Sequence, residues 1–188
     1  MSATVAILTV SDRAAAGIYE DKGGPAIEAW LRGAITSPLV IHRQIVPDGR
    51  ESVAAAFRHW ADEGGADLIL ATGGTGPSPR DQTPEAMEDV VTRHFPGFGE
   101  LMRAVSLREV PTAILSRQGA GTRGKTLIIT LPGKPSAIAT CLDAVFPAVP
   151  YCLDLMGAGR IETDPAVCKA FRPDRKSTRL NSSHLVIS

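Results

Sequence analysis

Four short apolar runs, each ending in a polar loop, constrain this chain more than any other feature. They are 4-TVAILTV-10, 39-LVIHRQIV-46, 67-DLILAT-72 and 125-KTLIITL-131. The nearly continuous apolar character of the first, third and fourth is that of strands covered on both faces. Segments of helical period lie between them. Gly23-Gly24-Pro25 opens one, with proline suited to the first helical position, and Ile27, Trp30 and Leu31 follow on one face. Val53, Ala56, Phe57 and Trp60 repeat at i, i+3, i+4, i+7 in the next, with Asp48 placed to cap it. Thr83-Pro84 reads as a cap and first-turn pair for a helix running through Val90–Val91. A further helix is expected around Glu100–Leu107, another from Pro135 through Val145, and a last short one near Tyr151–Met156 after breaks at Pro147 and Pro150.

Strands alternating with helices imply right-handed crossovers. The expected fold is α/β, a three-layer sandwich with a mainly parallel sheet and helices on both faces. The 188 residues carry no internal repeat and suit one domain, placed at 1–173. The tail from Asp174 differs: its first part, DRKSTRLNSSH, resembles one reading frame of a common sequencing adapter. Residues 174–188 are therefore expected to be a non-native, disordered segment.

Twenty basic residues balance twenty acidic ones, which leaves no basic footprint for nucleic acid and no polybasic membrane anchor. No apolar run approaches the ~18 residues that span a bilayer, and the N-terminus lacks a charged leader, so a cytoplasmic protein is expected. Cys141, Cys152 and Cys168 form no CxxC pair and read as buried, reduced thiols. His42, His59, His94 and His184 share no metal-ligand spacing with them, which disfavours zinc.

In an open α/β sheet, ligands bind outside the carboxyl ends of the strands. The loops there are 11-SDRAAAG-17, 47-PDGRES-52, 73-GGTGPSPRD-81 and 132-PGKPS-136. This order would bring Asp12, Asp48 and Asp81 to one edge. The glycine loop fails the P-loop pattern, lacking its Lys-Ser/Thr, and fails the dinucleotide fingerprint, lacking the third glycine. Its backbone N–H groups and the helix start behind it still favour an anion. Two carboxylates, Asp48 and Asp81, beside a phosphate cradle suit Mg²⁺, which takes one or two carboxylates plus phosphate oxygens. Arg80, Arg117, Arg123 and Lys134 read singly as solvated surface charges, Lys134 least so.

The stretches 7-ILTVSDRAAAGIYEDKGGPAI-27, 72-TGGTGPSPRDQTPEA-86, 96-PGFGELMR-103, 111-PTAILSRQ-118 and 131-LPGKPSA-137 resemble the molybdopterin adenylyltransferase family in its single-domain bacterial form, MogA. The resemblance implies Mg²⁺-dependent transfer of AMP from ATP to the terminal phosphate of molybdopterin, with release of pyrophosphate. It also implies catalytic and metal-binding roles for Asp48 and Asp81. Gly73, Gly74, Thr75 and Gly76 would hold the pterin phosphate end, with Ser11, Asp12, Pro132, Gly133 and Ser136 lining the neighbouring exits. A homotrimer and hand-over of product to a molybdenum-insertion protein are implied as well. Related domains that bind or scaffold without catalysis, and other nucleotide-pyrophosphate enzymes on this domain, are the alternatives. Two departures stand out: PDGRES lacks the acidic residue that often follows the aspartate, and Gln82 replaces a usual aliphatic residue, with little effect expected.

Overall fold

Each central strand divides its side chains between two apolar cores. A computed structural model describes residues 2–173; the tail expected at 174–188 lies outside the described residues. Strand β1 (Ala3–Val10) sends Val5 and Ile7 into one core and Ala6 and Leu8 into the other. With β2 at Leu39–Val46, β3 (Leu68–Thr72) does the same with Leu70 and Ile69. Such period-2 sorting needs apolar side chains at every position, which is why these runs lack alternation. Each fully buried Leu or Ile contributes about 1.5–3 kcal/mol.

Among the described residues the sheet has six strands in the order β2-β1-β3-β6-β5-β4, where β4 is Arg93–His94, β5 is Ala120–Arg123 and β6 is Thr126–Leu131. The pairs β1–β2, β1–β3 and β3–β6 are parallel, with Ala3 opposite Leu39 and Thr72 opposite Leu131. The pairs β5–β6 and β4–β5 are antiparallel. This antiparallel edge was not expected. It turns at Gly124, whose φ of +56° suits a tight hairpin, and 120-AGTR-123 is too short and too small to show a strand period.

Among the described residues seven helices complete the layers: α1 (Asp12–Ala15), α2 (Gly23–Ala34), α3 (Arg50–Arg58), α4 (Thr83–Glu88), α5 (Pro96–Ser106), α6 (Pro135–Val145) and α7 (Val149–Met156). Helices α2, α5, α6 and α7 pack on the first core, and α3 and α4 on the second. Helix α3 passes into a π-helical turn at His59–Glu63, which leaves Trp60 only half-buried, its Nε1 donating to Gln44 Oε1 at 2.7 Å.

Three local expectations change. Helix α4 stops at Glu88 and not at Val90–Val91. Pro150 lies in the first turn of α7, where its missing N–H costs nothing, so it opens that helix and does not break it. The run Pro135–Met156 is, by length and composition alone, apolar enough to cross a membrane, contrary to the sequence reading. Here a 3₁₀ turn at Phe146–Ala148 interrupts it, and Ile138, Leu142, Phe146 and Leu153 are buried in the first core.

Candidate active site

Because β2, β1, β3 and β6 run parallel, their four carboxyl ends open onto one edge of the sheet. In spatial order the exits carry Asp48, then Ser11 and Asp12, then the glycine loop with Asp81, then Pro132 and Gly133.

The glycine loop is held from below and open above. Gly73 and Gly74 have φ of +100° and +64°. A Cβ at Gly73 would collide with the Val10 carbonyl, and one at Gly74 with the Thr83 hydroxyl, so only glycine fits either position. Thr83 is not the helix cap expected of it: its hydroxyl donates to Gly73 O at 2.9 Å and its N–H to Gly74 O at 3.1 Å. Among the described residues, the N–H groups of Gly74, Thr75 and Gly76 find no protein acceptor. Three successive free donors favour an anion at this loop.

The loop closes on Asp81, whose Oδ2 accepts from Ser78 N–H at 3.0 Å while its own N–H donates to Ser78 O at 2.9 Å. Arg117 lies at the surface, as expected, but its charge is not free. Its backbone N–H donates to Thr75 O at 2.8 Å, its Nε to Gly76 O at 3.1 Å and its Nη2 to Asp81 O at 2.6 Å. Its Nη1 pairs with Glu85 Oε1. The hydrogen bond from Arg117 holds the Glu85 carboxyl below its ordinary range against the opposing effect of burial. Glu85 Oε2 is buried without a partner among the described residues. Arg123 is likewise paired, with Asp62 and with Val90 O.

At the other end of the edge, Asp12 and Asp48 bind each other's backbone. Asp12 N–H donates to Asp48 Oδ2 at 2.9 Å, and Asp48 N–H donates to Asp12 Oδ1 at 2.9 Å. Asp48 therefore does not cap α3; that helix begins after Gly49, at φ +126°. The first N–H of α3, on Arg50, instead donates to Gln82 Oε1 at 2.9 Å. Gln82 thus satisfies a helix-end donor and ties the β2 exit to the glycine loop, an effect an aliphatic residue at that position could not supply.

Two cavities meet along this edge and share Gly73 and Gly133. One, of about 190 Å³, is lined by Ser11, Tyr19, Asp21, Lys22 and Thr72. The other, of about 410 Å³, runs along the glycine loop past Asp81, Ser116, Pro132 and Lys134.

The arrangement has close counterparts. A family described as the probable molybdopterin binding domain matches residues 6–151. A Helicobacter pylori protein named molybdopterin adenylyltransferase is 50% identical over 169 residues, covering 90% of this chain and 96% of its own length. The Escherichia coli protein of that name is 43% identical over 191 residues, covering 95% and 97%. This chain belongs to the molybdopterin adenylyltransferase family. The crystal structure of the molybdopterin biosynthesis enzyme MoaB from Thermus thermophilus superposes with a TM-score of 0.77 at 44% identity, over 85% of this chain and 99% of that one.

Within this adenylyltransferase-family fold, the anticipated site residues separate into groups. Gly73 to Gly76, Asp81, Pro132 and Gly133 line the larger cavity, and Ser11 the smaller. Asp12 and Asp48 sit on the adjacent exits as a mutually bonded pair. Ser136 borders a separate hollow of about 70 Å³ with Ser106 and Thr140. Among the described residues no three His, Cys, Asp or Glu side chains gather as a metal cage. A hard cation needs no such cage where phosphate oxygens complete its shell. Asp48 Oδ1 and Asp81 Oδ1 each lack a protein partner among the described residues, which leaves each carboxylate one oxygen to offer such a cation.

Sequence reasoning gave no role to Asp21, Lys22, Arg117 or Glu85. Asp21 could have been found, since a carboxylate three residues before Gly24 is placed to take its N–H, as it does at 2.9 Å. Arg117 lies 36 residues from Asp81 with no local signal linking them.

Proposed function

We propose that this chain transfers the adenylyl group of ATP to the terminal phosphate of molybdopterin. A phosphate oxygen of the pterin attacks the α-phosphorus of ATP. The bond from that phosphorus to the oxygen bridging to the β-phosphate breaks, and pyrophosphate leaves. The substrate itself supplies the nucleophile, so the protein's work is positioning and charge stabilisation. The observation that carries this reading is the run of free N–H groups at Gly74, Thr75 and Gly76, in the cavity that also contains Asp81. Those donors suit the pterin phosphate, while the adjoining smaller cavity, with Lys22 and Tyr19, offers a cation and an aromatic ring to the second substrate.

Asp48 and Asp81 would hold Mg²⁺ through their free carboxylate oxygens. The ion would screen the charge of the ATP phosphates as negative charge builds on the departing pyrophosphate. The reading extends to a cytoplasmic homotrimer that passes its product to a molybdenum-insertion protein. An apolar hollow of about 440 Å³ between α5 and α6, lined by Phe95, Phe98, Leu101 and Pro147, supports contact between copies.

Pyrophosphate release from ATP, followed with and without molybdopterin, tests the proposal. Release only when pterin is present is expected. Equal release without it would point to another nucleotide-pyrophosphate enzyme on this fold.

A further inference from the structure

We propose that Arg117 is a positioning residue that sets the glycine loop and Asp81 for adenylyl transfer, touching neither substrate. The proposal rests on the adenylyltransferase reading for its kinetic part and on geometry for the rest. One side chain joins two points of the loop to the helix behind it. Nε holds Gly76 O, at the end of the free N–H run, and Nη2 holds Asp81 O, at the candidate metal ligand. Nη1 anchors the guanidinium to Glu85, in the first turn of α4. The backbone of the same residue holds Thr75 O at 2.8 Å. Among the described residues no other hydrogen bond ties Gly76 to Asp81 from outside the loop; within it, the Asp81 carboxylate closes its own turn at Ser78.

The strut is itself supported. Arg103 on α5 donates from Nη1 to Gln118 O at 3.0 Å and to Ser116 O at 3.4 Å, on either side of Arg117. Gly99 makes room for this, since a Cβ there would meet Gln118 O and the Arg103 guanidinium. The stretches PGFGELMR and PTAILSRQ thus form a buttress for the glycine loop.

A guanidinium is needed because its planar fork reaches separate acceptors at once, whereas an ammonium is a point charge on a flexible stem. A misplacement of about 1 Å at a reacting centre can cost on the order of 10²-fold in rate. Arg117→Ala and Arg117→Lys should therefore both lower kcat by about 10²-fold, with KM for ATP changed by less than about 3-fold. Glu85→Gln keeps a hydrogen-bond acceptor for Arg117 and should lose far less.

The test measures kcat, KM and melting temperature of these three variants beside the wild type, with hydrogen exchange of the loop amides in the absence of substrate. Faster exchange of the hydrogen-bonded Ser78 and Asp81 amides in both Arg117 variants, with the kcat loss above, is the expected result. Full rescue of kcat by Lys would overturn positioning in favour of simple charge. Unchanged exchange in Arg117→Ala, or a rate loss matched by global destabilisation, would overturn it as well. An inactive wild type would defeat the adenylyl-transfer reading, while the exchange result would still decide the strut.

Discussion

Asp12 and Asp48 clasp each other through their backbones, each N–H meeting the other's carboxylate at 2.9 Å. The clasp locks the exits of two neighbouring parallel strands and leaves one oxygen on each side chain without a protein partner among the described residues. Structure and charge can be separated there. Asp48→Asn keeps an acceptor for the Asp12 N–H but loses the charge. It should melt within a few degrees of wild type and lose about 10²-fold or more in kcat. Asp48→Ala should lose both, with about 1 kcal/mol of stability. Thermal melts beside single-turnover rates check this. If Asp48→Asn turns over at the wild-type rate, Asp48 serves structure alone.

The glycine loop gives a second contrast. Gly73→Ala places a Cβ against the Val10 carbonyl at a φ of +100° and should destabilise by about 2 kcal/mol or more. Gly133→Ala meets only Gly73 Cα at 3.7 Å and should cost under about 0.5 kcal/mol. Because Gly133 borders both cavities, its methyl should still weaken substrate binding. Denaturant melts and substrate titrations of the two variants distinguish these effects.

Acid should weaken the fold through its arginine-bound carboxylates. The hydrogen bond from Arg117 lowers the pKa of Glu85, that from Arg123 lowers Asp62, and that from Arg50 lowers Asp89. A folded pKa below the unfolded one means the stabilisation is complete above the ordinary carboxylate range and is lost as pH falls through the folded value. Melting temperature should therefore hold near neutrality and drop below about pH 4–5. Glu85→Gln should show a shallower acid decline. A wild type whose stability rises on acidification would contradict the assignment.

The thiols should be quiet. Burial pushes Cys141, Cys152 and Cys168 above the ordinary thiol range, and all three are free. A thiol reagent at neutral pH should label the native protein slowly and the denatured protein at once. Rapid labelling of native Cys141 would contradict its complete burial.

Strands β1, β3 and β6 were legible because burial on both faces forces unbroken apolar runs such as ILTV and LIIT, and β2, largely exposed at the sheet edge, showed instead through its β-branched residues. Their polar exits followed from the parallel order. What escaped was set by contacts distant in sequence. The strand Ala120–Arg123 is defined by pairing with Thr126–Leu131, not by its own composition. Thr83 looked like a cap because its position before Pro84 suits one, yet the nearby Gly73 carbonyl takes its hydroxyl. Gln82 and Arg117 looked incidental because their partners, Arg50 and the glycine loop, come together only in the folded sheet. The motifs pointed to the loops at the strand exits, and the fold shows which residues support those loops.

The most direct measurement is the mass of the pterin product after incubation of the purified protein with molybdopterin, ATP and Mg²⁺. The account predicts molybdopterin enlarged by one adenylyl group, with one pyrophosphate released for each, and loss of both when Asp81 is replaced by Asn. Tight molybdopterin binding with an unchanged pterin mass would contradict it and leave a binding protein of the same fold.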